Sequence, residues 1–208
     1  MAYPGGVLLH TGLPNPGFRQ VLRDYAGQWS RATIPIIVHL MVDQADHVHR
    51  MVRQLEEIEG VLGIELGFPP EAAPPFVAEA IQAAQGELPV IVARPLGGDL
   101  PTPLPSAISL SPPRGTLPGM DGGSIVQGRL YGPGLFPQVL HTVRAWCSLG
   151  VPVIAGGGVY HPHQAKVLLD AGALAVQLDL RLWRDPWPDE AWEQWLVSVR
   201  SRSSSAPR

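Results

Sequence analysis

Six short runs of mostly apolar, often β-branched residues recur along this chain, at 34–40, 61–66, 89–93, 107–110, 151–155 and 173–178. A run without polar alternation marks a strand buried on both faces, and such strands belong to parallel sheets. Helical spacing fills most of the intervals. Phe18, Val21, Leu22, Tyr25 and Trp29 share one face, behind a start signal at Asn15-Pro16. Val48, Met51, Val52, Leu55 and Ile58 follow Asp43, and Val77, Ala80, Ile81 and Ala84 follow Pro74-Pro75. Segments 136–149 and 162–171 and the stretch from Trp187 to Val199 supply three more helical patterns. Strands alternating with helices define the parallel α/β class.

The rhythm fails in three places. Segment 94–107 carries prolines so placed that no regular helix can form, and it reads as an irregular crossover. Segments 3–13 and 111–135 read as loops rich in glycine and proline. The chain holds 23 prolines in 208 residues, against a usual share of about 5%. They gather at segment edges, where they stiffen connections.

The most specific local signal is Pro152-Val-Ile-Ala-Gly-Gly-Gly-Val159, a strand running into three glycines before a helix start at His161-Pro162. Glycine lets the backbone approach a ligand closely. Consecutive free N–H groups ahead of a helix form an anion cradle, and such phosphate sites recur late in (β/α) barrels. The expected fold is therefore a TIM (β/α)8-type barrel. A complete one takes about 250 residues, so 208 residues and six strands make it incomplete. One barrel-like domain is expected over 1–200, with a disordered polar tail at 201–208.

Charge and cysteine usage narrow the function. Fifteen basic against 18 acidic residues leave a net charge of −3, which gives no footing for nucleic acid or an anionic membrane. Cys147 is the sole cysteine and lies in an apolar helical pattern, as a buried structural thiol would. The sequence shows no signal peptide and no apolar run of membrane-spanning length, so a cytoplasmic protein is expected.

Several segments together resemble the dihydroorotate dehydrogenase family. Pro4-Gly-Gly-Val-Leu-Leu-His-Thr-Gly-Leu-Pro-Asn-Pro-Gly17 is similar to the family's P-G-G-x-x-N-x-x-G-L-x-N-x-G. Gly63-Ile-Glu-Leu66 resembles its fourth strand, and the segment from Gly128 to Pro137 resembles its G-G-L-S-G loop. Val153-Ile-Ala-Gly-Gly-Gly-Val159 and Ala171-Gly-Ala173 resemble its flavin-phosphate strand and the helix that follows. The resemblance runs in order from about Pro4 to Leu182. It implies an FMN barrel of pyrimidine biosynthesis, an oxidoreductase, with the six strands standing for the family's strands 3–8. It assigns FMN to Gly156, Gly157, Gly158, Val159 and Gly128, and the substrate end to Gly12, Leu13 and Ser111.

The departures from that pattern concern chemistry. The family's first two strands, with a flavin-contacting lysine, have no counterpart here. Either an upstream continuation, a partner chain, a second copy or the long loops are expected to cover the open edges. The proton-abstracting loop reads Leu66-Gly-Phe-Pro-Pro70, with no hydroxyl or thiol, and proline cannot take a proton. Family asparagines align with Leu9, Gly67 and Ser111, a second lysine with Ala93, and a Gly-Thr pair with Asp179-Leu180. No catalytic residue is assigned, and FMN binding itself is open to loss.

Remaining polar clusters carry less. His47 and His49, like His161 and His163, stand two apart, and such residues share no helix face, so no metal site is expected. His161 and His163 are expected to face solvent, with an anion near the glycines as the alternative, and Arg94, Arg114 and Arg129 suit either an anionic substrate or plain surface charge. Trp183, Trp187, Trp192 and Trp195 suit a helix packed on the barrel or at an interface. Three functions stay open: an FMN oxidoreductase with weakened or lost catalysis, a non-catalytic subunit needing a partner, and another phosphate-binding barrel acting on a sugar phosphate.

Overall fold

The computed structural model describes residues 1–10, 15–119, 121–178 and 190–203, with side chains through Val197. The chain divides into two compact units, residues 11–109 and residues 1–10 with 110–208. The six expected strands are present as β3 (Ile36–Met41), β4 (Val61–Gly67), β5 (Val90–Pro95), β6 (Ala107–Ser111), β9 (Val153–Ala155) and β10 (Ala175–Val176). They form one parallel sheet in the order β10-β9-β6-β5-β4-β3. Spatial order follows chain order with no reversal, as in a barrel and unlike a doubly wound sheet. The fold class is α/β of the incomplete TIM-barrel type.

In residues 11–109 the helices are α1 (Phe18–Trp29), α2 (Ala45–Glu56) and α3 (Pro74–Ala83). Val38 and Leu40 of β3, Val42 just beyond it, and Ile64 and Leu66 of β4 pack with Val48, Val52 and Leu55 of α2 and Val77, Ala80 and Ile81 of α3. Each buried aliphatic side chain contributes about 1.5–3 kcal/mol. Ile37, His39 and Met41 alternate with these residues and point to the opposite face, where they are exposed. Two start signals shift inward. Helix α1 begins after Gly17, whose amide donates to Asn15 Oδ1, so Asn15 organises the approach without capping the helix. Helix α2 begins after Gln44, not at Asp43. The 96–106 crossover is irregular, as its prolines require.

In the other unit, both segments read as loops contain strands. β1 (Ala2–Tyr3), β2 (Gly6–Leu9), β7 (Arg114–Pro118) and β8 (Ile125–Tyr131) form an antiparallel sheet in the order β1-β2-β8-β7. The β7–β8 hairpin runs in register from Arg114 opposite Arg129 to Pro118 opposite Ile125. Its turn closes with the Gly119 amide donating to the Ser124 carbonyl at 2.8 Å. Because these strands are only half-buried, they lack a continuous apolar run, and glycine and proline hide the remaining alternation. Helices α4 (Phe136–Ser148), α5 (Pro162–Asp170) and α6 (Glu190–Ser203) complete the unit. Ser201–Ser203 thus close α6, and 204–208 lie outside the described residues. Among the described residues, no helix is long and apolar enough to cross a membrane.

Candidate functional site

The turn between β9 and α5 brings together four of the expected site residues. Gly156, Gly157, Gly158 and Val159 are all buried. Gly157 and Gly158 have φ of 92° and 75°, the left-handed region that favours glycine. A β-carbon on Gly156 would stand 2.5 Å from both the Leu110 carbonyl oxygen and Gln177 Oε1. One on Gly158 would stand 2.5 Å from the Phe136 nitrogen. The glycines therefore let this turn lie against the end of β6 and the start of α4. The N-termini of α4 and α5 converge there, each carrying partial positive charge.

The amides of the turn divide into two groups. Those of Tyr160 and His161 donate to Gln164 Oε1 at 2.8 and 2.9 Å, and that of His163 donates to His161 Nδ1 at 3.1 Å. His161 and Gln164 thus form a capping box for α5. Among the described residues, no oxygen accepts from the amides of Gly157, Gly158 or Val159. Buried N–H groups without acceptors are rare and costly. Three in succession, beside two helix N-termini, can hold an anion.

The other expected site residues are scattered around this turn. Ser111 ends β6 half-buried, one residue beyond the Leu110 carbonyl that meets Gly156. Gly128 lies buried within β8, where a β-carbon would come within 2.7 Å of the Leu8 side chain. Close strand packing is thus one sufficient reason for that glycine. Gly12, Leu13, Asp179, Leu180, Trp183 and Trp187 lie outside the described residues. Arg114 and Arg129 face each other across β7 and β8, while Arg94 Nε donates to the Asp99 carbonyl at 3.1 Å and ties down the crossover. Cys147 is half-buried beside Gly172, and desolvation pushes its thiol pKa up, so it stays protonated at neutral pH. Among the described residues, no three His, Cys, Asp or Glu side chains gather to hold a metal ion.

One polar pair escaped the sequence reading. His39 Nδ1 lies 2.5 Å from Glu65 Oε2 on the β3–β4 face turned away from the helices. A β-carbon at Gly67 would fall 2.5 Å from His39 Nε2, so the glycine makes room for the imidazole. Both residues sit singly inside apolar runs, and their shared strand parity was the available signal.

A parallel α/β sheet of the incomplete barrel type, with a glycine-lined turn of unpaired amides, defines the class of protein. No family model matches the chain. It is similar to the catalytic subunit of dihydroorotate dehydrogenase B (NAD(+)) from Desulforudis audaxviator (strain MP104C), with 24% identity over 204 residues. That match covers 83% of this chain and 65% of the relative, so the chain spans under two thirds of the relative's length.

Proposed function

We propose that this chain is a divergent member of the dihydroorotate dehydrogenase family that keeps the FMN-phosphate turn and has weakened or lost dihydroorotate oxidation. The observation that carries the reading is the row of buried, acceptor-free amides at Gly157, Gly158 and Val159. In this reading those amides and Gly156 hold the phosphate, Gly128 and Ser111 lie toward the rest of the ligand, and Gly12 and Leu13 belong to the substrate end. A bound flavin supplies a hydride acceptor. The phosphate end fits that cofactor, whereas the ring and substrate ends do not. Half-buried Ala93 stands where the family has a lysine, and Phe68-Pro69-Pro70 follows β4 where the family has its base. No proton-removing step can be written through those residues.

A partner or a second copy that supplies the missing strands belongs to the same reading. Among the described residues β3 pairs only with β4, and Ile37 and Met41 beside that open edge are 53% and 49% exposed. An unpaired parallel edge of this kind calls for cover. The relative is itself, by its name, a catalytic subunit.

Purified protein titrated with FMN tests the proposal. Saturable binding, seen as quenched flavin fluorescence and lost on adding excess inorganic phosphate, supports the phosphate turn. Absence of binding removes the retained FMN-phosphate turn, and phosphate-ester binding without FMN binding favours a barrel acting on a sugar phosphate. Dihydroorotate turnover at the rate of an efficient flavoenzyme overturns the loss of catalysis while leaving the family intact.

A further inference from the structure

We infer that the groove between α1 and α2 is a second, independent anion site, built for a diphosphate group. Its residues belong to the unit of residues 11–109 and owe nothing to the glycine turn. The groove has a volume of about 550 Å3, and Arg19, Arg23, Arg50 and His47 line it without any acidic residue. That size falls within the roughly 300–1,000 Å3 of small-molecule sites. In a chain with more acidic than basic residues, three arginines lining one cavity without a carboxylate is a concentrated charge. Among the described residues, none of the three pairs with an acid.

The local hydrogen bonds explain why the charge stays available. Arg19 and Arg23 lie four residues apart on α1 and so share a face. Asp24 is the nearest acid in sequence, but the Gln20 amide nitrogen donates to both its oxygens at 2.8 Å. Gln20 Oε1 in turn accepts from Arg23, which holds that guanidinium without neutralising it. On α2, His47, Arg50 and Gln54 follow at spacings of three and four, and Gln54 is anchored to the Arg50 carbonyl at 3.3 Å. Asp43 lines a smaller adjoining cavity of about 280 Å3 that shares His47, which sets an acidic limit on that side.

Guanidinium forks match phosphate oxygens in pairs. Three of them outmatch the charge of a single phosphate, and the cavity exceeds its size. A diphosphate, alone or as the end of a larger small molecule, satisfies both.

Calorimetric titration of the full chain at low ionic strength with inorganic pyrophosphate and with orthophosphate tests the assignment. Pyrophosphate is expected to bind at least about tenfold more tightly, and Arg23→Gln or Arg50→Gln to weaken it about tenfold each. Arg144→Gln, an equal charge change at an exposed position on α4, is the control and should change affinity less than about twofold. The proposal is overturned by absence of pyrophosphate binding, by equal affinity for orthophosphate, or by an Arg144→Gln effect as large as that of Arg50→Gln. Pyrophosphate binding that survives both groove variants locates the anion elsewhere and overturns it too. These arginines are exposed, so circular dichroism should show all variants folded. FMN binding plays no part in the readout, so the failure of either proposal leaves the other standing.

Discussion

Two strand-to-helix turns of the same parallel sheet have opposite chemistry. After β9 the chain passes through Gly156–Gly158 and leaves three buried amides without acceptors, then caps α5 with His161 and Gln164. After β4 it passes through Pro69 and Pro70 and enters α3 at Pro74 and Pro75, with no side-chain cap. Four prolines bring no N–H at all, so that turn has little to offer an anion. A turn built of glycine spends conformational entropy to keep donors, whereas one built of proline discards donors to gain rigidity. The β9–α5 turn thus keeps backbone donors that the β4–α3 turn lacks.

Substituting the glycines beside each turn is the sharpest way to break that contrast. Gly158→Val puts a β-carbon 2.5 Å from backbone, at the Phe136 nitrogen, and at a φ of 75°. Neither atom can yield, so a loss of about 3 kcal/mol in denaturant unfolding is expected, with loss of FMN binding. Gly67→Ala meets only the far end of the His39 ring. That ring can swing away from Glu65, and the cost should be about 1 kcal/mol. In a His39→Ala background the same alanine should be nearly neutral, because the group it displaces is gone. Equal losses at the two glycines would erase the distinction between backbone and side-chain contact.

The caps give a smaller effect of the same kind. His161→Ala removes the acceptor for the His163 amide and should destabilise by about 1 kcal/mol, and His161→Asn should restore most of it. At α3, Ala73→Asp should gain less than about 0.5 kcal/mol, since Pro74 and Pro75 leave few donors to satisfy. Thermal melts of the three variants read this directly. A gain at Ala73 as large as the loss at His161 would show that the proline-rich entry does not lack donors.

What the sequence disclosed follows the same physics. Strands buried on both faces, such as Val90 to Val92, write themselves as continuous apolar runs and were legible. The β7–β8 hairpin was not, because half-burial needs only alternation and its glycines and prolines mask even that. The glycine triplet was visible as a string, but its contacts with Leu110 and Phe136 join residues far apart in the chain. The His39–Glu65 pair and the arginine groove were missed for the same reason. Each joins two elements, and no spacing within one element announces it.

The hairpin turn supplies the smallest test, and it concerns a turn that keeps its donors but spends them on itself. Asp121 Oδ1 accepts from the Ser124 hydroxyl at 2.7 Å and from the Ser124 and Gly123 amides at 3.0 and 3.2 Å. The Ser124 hydroxyl and these amides favour the ionised carboxylate and lower its pKa below the ordinary 3.8. A depressed folded value means that the turn is supported at and above pH 3.8 and loses that support as pH falls through the lower value. Because Asp121 is fully exposed, the global melting temperature should barely move, and the change should appear in the local amides. Nuclear magnetic resonance should show the Gly123 and Ser124 amide shifts titrating together, with a midpoint below 3.8, and losing that titration in Asp121→Asn. A midpoint at or above 3.8 would mean that these donors are not held by the carboxylate.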